Sequence, residues 1–461
     1  MNEGRAGLGP VRGASYYVGA LIGPGVLLVP SLAARAAGPA SLIAWAALLV
    51  LSVPLALTFL TLALRHPVAG GLSAYVREGF GGDASAITGT CFATAVVCGA
   101  PAVSLIGGYY VADLTGSGTA VAGGVAMFMF AAVIVANVLG LTISSGFQLA
   151  LAAVLVCAIG LAVSVALPGH VTHNWEPFAP HGWWAVGTAA NILVWLFVGW
   201  EAMAQLAGDF RDPARDLPRA VLMAFALMAV LYCGLAVATI TVTASDGSRA
   251  PLADLVAAGF GRAGRDGTAV LAVALTMGTM NVYIGSTAKL AASLAGDRAL
   301  PAWFGAGPHR DIPRRPLWAL ALTSAILLGA LLAGATSPAD LVRATSACFI
   351  VVYILALGSA AKVLSGRGRT VALTALVPVI VVAAFSSVFL AVPAGAALLS
   401  YALRHAARNR APNHRFPVPA AAFAQADKRE RPDRAHDQTR PAAWARQKGG
   451  GRREKCDRSK N

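Results

Sequence analysis

Charge is what this chain has least of. Of its 461 residues only 12% are Asp, Glu, Lys or Arg, while 57% are hydrophobic. Soluble domains carry about 25% charged residues, so a water-facing surface over a buried core is excluded. Other absences narrow the field. No GxSxG, HExxH or P-loop sequence occurs, and no apolar run holds two carboxylates. Nucleophilic, metal-hydrolytic and phosphate-cradling chemistry therefore lack their residues, and the chain does not read as an enzyme. The six cysteines (Cys91, Cys98, Cys157, Cys233, Cys348 and Cys456) form no CxxC pair and no zinc spacing. Five lie inside apolar segments, where cysteine behaves as a small packing residue. No metal or cofactor is expected. The apolar runs do not alternate, which excludes a membrane β-barrel.

What is present is apolar sequence in lengths that cross a bilayer, for which roughly 20 residues suffice. Runs at 14–36, 38–64, 85–114, 119–141, 146–168, 184–207, 218–243, 267–294, 316–336 and 338–364 predict ten spans. A last block, 370–403, reads as two short peripheral spans hinged around Ser386 and Ser387, or as one long helix with a re-entrant piece. The expected fold class is an all-α polytopic membrane protein with about 12 transmembrane helices. Arg5, Arg12, an apolar run and Ala34-Arg35-Ala36 outline a signal peptide. The Gly-Pro-Gly within that run, and the many spans after it, favour a retained first helix.

The net charge of +15 is distributed in a way that gives orientation. Alternate loops starting from the N-terminus hold fourteen Lys and Arg before residue 404, and the opposite loops hold five. By the positive-inside rule both termini face the cytoplasm, with residues 1–13 forming a cytoplasmic N-terminus. The expected location is a bacterial cytoplasmic membrane. From Arg404 to Asn461, sixteen basic residues stand against six acidic ones, among prolines and a Gly449-Gly450-Gly451 run. Residues 404–461 thus read as a disordered basic tail. It is either simply solvated or drawn to anionic lipid. Loops and tail account for the charge without a nucleic-acid surface.

Two spans are interrupted. The first reads Gly19-Ala20-Leu21-Ile22-Gly23-Pro24-Gly25-Val26. Proline removes a helical hydrogen bond and clashes with the preceding turn, and glycine disfavours helix while permitting close approach. An unwound stretch follows, tolerated in a membrane only where it is buried in protein or lines a cavity. The sixth span reads Trp195-Leu196-Phe197-Val198-Gly199-Trp200-Glu201. Breaks five spans apart are the pattern of a transporter built from two inverted five-helix repeats, here about 14–168 and 184–364. The plainer reading is a kink at Pro24 and a packing contact at Gly199. Freed backbone offers N–H groups to a carboxylate and carbonyls to an ammonium, so a zwitterionic amino acid fits without a charged side chain. Glu201 lies within the apolar run, where an ionisable group is costly. It reads as a proton carrier or gate, or as a structural glutamate bonded to freed backbone. Lys289 sits near a span end and can snorkel. His170, His173 and His181 lie among Trp175, Trp183 and Trp184, and fit an interfacial aromatic belt better than a metal site.

Four segments carry a family likeness. GALIGPGVLLVP (19–30), PVAGGLSAYVREGFG (67–81), FVGWEAMAQLAGDFRDPARDLPRA (197–220) and STAKLAASLAGDRALPAWF (286–304) resemble, in order and spacing, motifs of the amino acid–polyamine–organocation superfamily. Within it, the sixth-span segment and MNVYIGSTAKL (280–290) are most similar to the methionine and branched-chain amino-acid exporters. The resemblance implies a LeuT-type fold, a five-plus-five inverted-repeat core over 14–364 and two peripheral helices over 370–403. It also implies alternating-access transport of neutral, apolar amino acids, outward rather than inward. Proton-coupled import by the same fold and non-transporting amino-acid sensing are the rival readings. By resemblance, the substrate lies against Leu21, Ile22, Gly23 and Gly25. Its carboxylate meets N–H groups around Gly23 and Gly25, and its amine meets carbonyls near Leu21 and Val198. Trp195 and Phe197 shape the side-chain pocket, and Glu201 serves proton coupling or gating. The sequence departs from the family where Pro24 stands in place of a Ser or Thr, removing a hydroxyl and an N–H. The fifth span also lacks the lysine that some proton-coupled relatives carry.

Overall fold

The computed structural model describes residues 8–65, 71–141, 144–166, 175–200, 209–243, 248–305 and 312–410. Met1–Arg408 forms one compact unit, and residues 411–461, most of the basic tail, lie outside the described residues. The described residues hold fourteen α-helices and no strand, apart from an isolated bridge between Leu8 and Phe210. Ten helical stretches are long and apolar enough to cross a membrane. The two further spans expected from the sequence, the first and the sixth, are both broken.

The first span forms α1 (Pro10–Leu21), a 3₁₀ turn (Pro24–Leu27) and α2 (Val29–Ala37). Pro24 cannot donate to the turn before it, so α1 stops. Gly38, at φ +62°, turns the chain through a 3₁₀ turn (Gly38–Ala40) into α3 (Ser41–Arg65). A short α4 (Gly71–Phe80) then precedes α5 (Gly82–Leu114), followed by α6 (Thr119–Val138) and α7 (Ser145–Ala166). The sixth span runs as α8 (Trp184–Leu193) and a 3₁₀ turn (Val194–Phe197), then becomes extended at Val198. Residues 201–208 are outside the described residues. The remaining helices are α9 (Pro213–Thr243), α10 (Pro251–Gly296), α11 (Arg314–Leu332), α12 (Pro338–Val363), α13 (Arg367–Ala384) and α14 (Ala391–Arg410).

Two features depart from the sequence expectation, and a third adds to it. The helix expected at 267–294 starts at Pro251 and changes direction at Gly261, whose φ of +57° and ψ of −141° only glycine adopts easily. Residues 251–260 thus form a helical arm before the span. The last block is two helices, and the turn between them is not isolated from the core. Phe385 sits over Gly187, where a Cβ would come within 2.0 Å of its ring, and Ser386 Oγ accepts a 2.7 Å bond from buried Asn191. The turn therefore grips the first half of the sixth span. Finally, the chain remains helical to Arg410, past the expected tail boundary at 404, because Arg404 lies inward and pairs with Asp83 at 2.8 Å.

Several helix pairs pack along their length. α1 and α3 lie against α9, with α2 and α3 against α8. α5 packs along α10, α6 and α11. In a bilayer such contacts depend on small residues and interhelical hydrogen bonds rather than on hydrophobic burial. Gly108 lets α5 touch the backbone of α6, since a Cβ there would lie 2.1 Å from the Ala122 carbonyl oxygen. Asn137 on α6 donates to Asn281 Oδ1 on α10 at 3.0 Å, and Asn281 donates to Leu141 O at 3.1 Å. At one end of the bundle Arg265 joins Asp254 (2.8 Å) and Asp113 (3.3 Å), fastening the 251–260 arm to α5. Gly108→Val should force α5 and α6 apart and cost about 1–3 kcal/mol by overpacking. A lowered thermal midpoint in detergent is expected, and an unchanged midpoint contradicts this contact.

Candidate functional site

The first break begins where Ile22 N–H closes the last turn of α1 on Val18 O at 2.8 Å. Gly23 is then extended (φ −104°, ψ −174°), and Pro24 starts the 3₁₀ turn. The N–H groups of Gly23 and Gly25 have no acceptor among the described residues. The second break has Val198 extended at φ −81° and ψ 140°, followed by Gly199 at φ +133°. L-residues with a side chain rarely adopt that φ. Contact reinforces the requirement for glycine, because a Cβ on Gly199 would lie 2.9 Å from Ala20 O of α1. The two breaks therefore cross backbone against backbone.

Tyrosines satisfy part of the backbone these breaks release. The buried Tyr232 hydroxyl of α9 lies 3.1 Å from Leu21 O and 3.0 Å from Leu196 O, so a single O–H is shared between the two breaks. Tyr110 of α5 donates to Leu27 O at 2.9 Å and accepts from Leu252 N at 3.2 Å, tying the 3₁₀ turn to the 251–260 arm. Gly199 N donates to Tyr353 Oη at 3.2 Å. Each pairing removes the cost of a buried, unbonded polar group. None of these tyrosines was singled out from the sequence, since a tyrosine in an apolar run looks the same whether or not it meets a broken helix.

Beside the crossing lies a cavity of about 560 Å³. Of the residues that sequence reasoning placed at a site, Leu21, Ile22, Gly23, Gly25, Trp195 and Val198 line it. Phe197 does not. Its ring meets Tyr232 edge-on at 5.4 Å and Trp45 at 6.0 Å, behind the break rather than in the pocket. Two positions apart in a helical turn, Trp195 and Phe197 point to different sides, and only Trp195 is on the side of the cavity. Glu201 lies outside the described residues, as do His170 and His173. Lys289 is exposed and is not part of the lining.

The opposite wall escaped sequence reading. α5 contributes Phe92, Val96, Gly99 and Val103, and α12 contributes Thr345 and Phe349. These helices are apolar all round, so periodicity gives no sign of which face lines a cavity. Among the described residues, the lining contains no Asp, Glu, Lys, Arg or His. Away from the crossing, the cavity extends to Ser73, Gln148, Ser286 and Leu290, toward the helix ends that carry the arginine-rich loops.

Comparison with known proteins gives a consistent picture. The family profile described as Amino acid permease matches residues 8–409. The chain is 32% identical over 396 residues to the amino acid permease YecA of Bacillus subtilis, covering 85% of this chain and 93% of that protein. It is 30% identical over 381 residues to the L-methionine/branched-chain amino acid exporter YjeH of Escherichia coli, covering 79% and 88% respectively. Similarity to the branched-chain amino acid permease BcaP of Bacillus subtilis is 25% over 233 residues, about half of each chain.

Tyr232→Phe removes the one hydroxyl shared by both breaks and leaves two buried carbonyls without their donor. A loss of about 1–3 kcal/mol is expected, read as a lower thermal midpoint of the purified protein. An unchanged midpoint means that the hydroxyl does not hold the crossing.

Proposed function

The chain belongs to the amino acid permease family, and from that premise we propose that it carries neutral, apolar amino acids of the methionine and branched-chain type out of the cell by alternating access. One observation carries the reading. Among the described residues, the cavity wall offers unpaired N–H groups at Gly23 and Gly25, an unpaired carbonyl at Val198 and no charged side chain. An amino-acid carboxylate is stabilised by the former and its ammonium by the latter. The Leu21 carbonyl is already engaged by Tyr232, and Ile22 O points opposite to the Gly23 N–H of the same trans peptide, so Val198 is the better amine partner. A cationic side chain or a polyamine would be desolvated there without a counter-charge. Phe92, Val96, Trp195 and Phe349 suit an apolar side chain. Similarity to the Escherichia coli methionine and branched-chain exporter and to the Bacillus branched-chain permease supports the same substrate class.

The remaining assignments extend this reading. Two inverted repeats, about 14–168 and 184–364, account for breaks that lie five spans apart yet meet at one crossing. With both termini in the cytoplasm of a bacterial cell, the cavity opens inward and Tyr110 and the 251–260 arm close the outer side. Substrate is then loaded from the cytoplasm, as export requires. The group containing α1, α3, α8 and α9 rocks against the group containing α5, α6, α10 and α11. Glu201, directly after the second break in sequence, is assigned the proton-linked step.

Radiolabelled methionine and leucine flux in proteoliposomes, with and without a pH gradient, tests the function. Saturable flux is expected for both, with arginine and putrescine excluded; flux of the cations alone would sink the reading. Glu201→Gln should flatten the pH profile of transport, and an unaltered profile would remove Glu201 from coupling. Gly23→Leu offers a cleaner test of the site. Gly23 has an ordinary extended φ, and a Cβ there meets nothing within 4 Å. The variant should fold normally and lose at least about tenfold of its flux, because the side chain occupies the space before the free N–H groups. Normal transport by folded Gly23→Leu places the substrate elsewhere.

A further inference from the structure

Resting on that reading of the cavity, we propose that Gly99 sets the size of amino-acid side chain the protein accepts. Phe92, Ala95, Val96, Gly99, Ala100 and Val103 of α5 line the cavity at helical spacing. Within this stripe, Gly99 alone has no side chain. Trp195 and Thr345 stand beside it at the cavity wall, 3.7 Å and 3.5 Å from where its Cβ would stand.

The other interior glycines of α5 have a packing reason to be glycine. A Cβ would come within 2.7 Å of Leu294 at Gly89, 2.6 Å of Met129 at Gly107 and 2.1 Å of the Ala122 carbonyl at Gly108. At Gly99 the nearest atoms are at ordinary van der Waals distance, so a methyl group fits. The backbone there is helical, and its φ is not in the left-handed region. Glycine is a poorer helix former than alanine, and at this position neither close packing nor conformation compensates. What the missing methyl leaves is a methyl-sized recess in the α5 wall of the cavity, bordered by the Trp195 ring and the Thr345 side chain. A branched or thioether side chain whose backbone groups are held at Gly23 and Gly25 can use that room. A methyl on α5 takes it away, and a short side chain has no need of it. Apolar pockets discriminate by such single-carbon differences.

The test compares the purified full chain with Gly99→Ala and Gly99→Val in proteoliposomes, measuring flux of alanine, valine, leucine and methionine. Gly99→Ala should lower leucine and methionine flux relative to alanine flux by roughly tenfold or more, with a thermal midpoint equal to or above that of the unaltered protein. Gly99→Val should abolish leucine and methionine flux and retain alanine. Adding Thr345→Ala to Gly99→Ala enlarges the adjoining wall and should restore leucine. Equal losses for all four substrates, or unchanged ratios, would overturn the role of Gly99 while leaving the transport reading intact. Absence of flux for all four in the unaltered protein would overturn the transport reading, and this proposal with it.

Discussion

In hydrocarbon a backbone N–H or carbonyl without a partner finds no water to replace it, and each such group costs several kcal/mol. A membrane helix can therefore be broken only where other protein groups take up what it releases. This chain breaks two spans, and the rest of its architecture depends on how they are reconciled. The breaks are pressed together at Gly199 and Ala20, where no side chain intervenes. One hydroxyl, from Tyr232, then serves a carbonyl from each. Trp45 and Phe197 hold the Tyr232 ring edge-on, at 5.3 and 5.4 Å, which fixes the direction of its O–H.

The reconciliation is deliberately incomplete in chemical terms. The carbonyls of Leu21, Leu196 and Leu27 are paired with tyrosines, whereas the N–H groups of Gly23 and Gly25 and the carbonyl of Val198, all on residues that line the cavity, have no partner among the described residues. This arrangement also accounts for the absence of charged residues from the described lining, since the backbone itself presents both polar signs. On the proposed reading, selectivity then passes to the largely apolar walls formed by α5, α10, α12 and Trp195. The same helix α5 packs tightly at Gly107 and Gly108 against α6 and leaves space at Gly99, so one element serves both as scaffold and as pocket wall.

Much of the fold was legible because a membrane imposes length and polarity on every span. Runs of apolar residues located the helices to within a few positions, and Gly23-Pro24-Gly25 marked the first break through proline's missing donor. Where legibility failed, the cause was local geometry or a distant partner. Gly261 looks like any loop glycine, yet its φ of +57° detaches a helical arm from the eighth span. Arg404 looks like the first residue of a basic tail, but Asp83, far away in sequence, keeps it in a helix. Phe197 and Trp195 are equivalent aromatic neighbours in the sequence, and tertiary packing puts one against Tyr232 and Trp45 and the other at the cavity.

By itself the sequence determined that this is a many-span helical membrane protein with two interrupted helices, because hydropathy and the chemistry of proline and glycine act on near neighbours. Only the tertiary structure decided that the interruptions meet, which tyrosines bridge them, and that the facing wall comes from α5 and α12. Those outcomes depend on groups brought together from distant parts of the chain. In spans that are apolar on every face, the sequence carries no mark to tell the wall of a cavity from a surface that faces lipid.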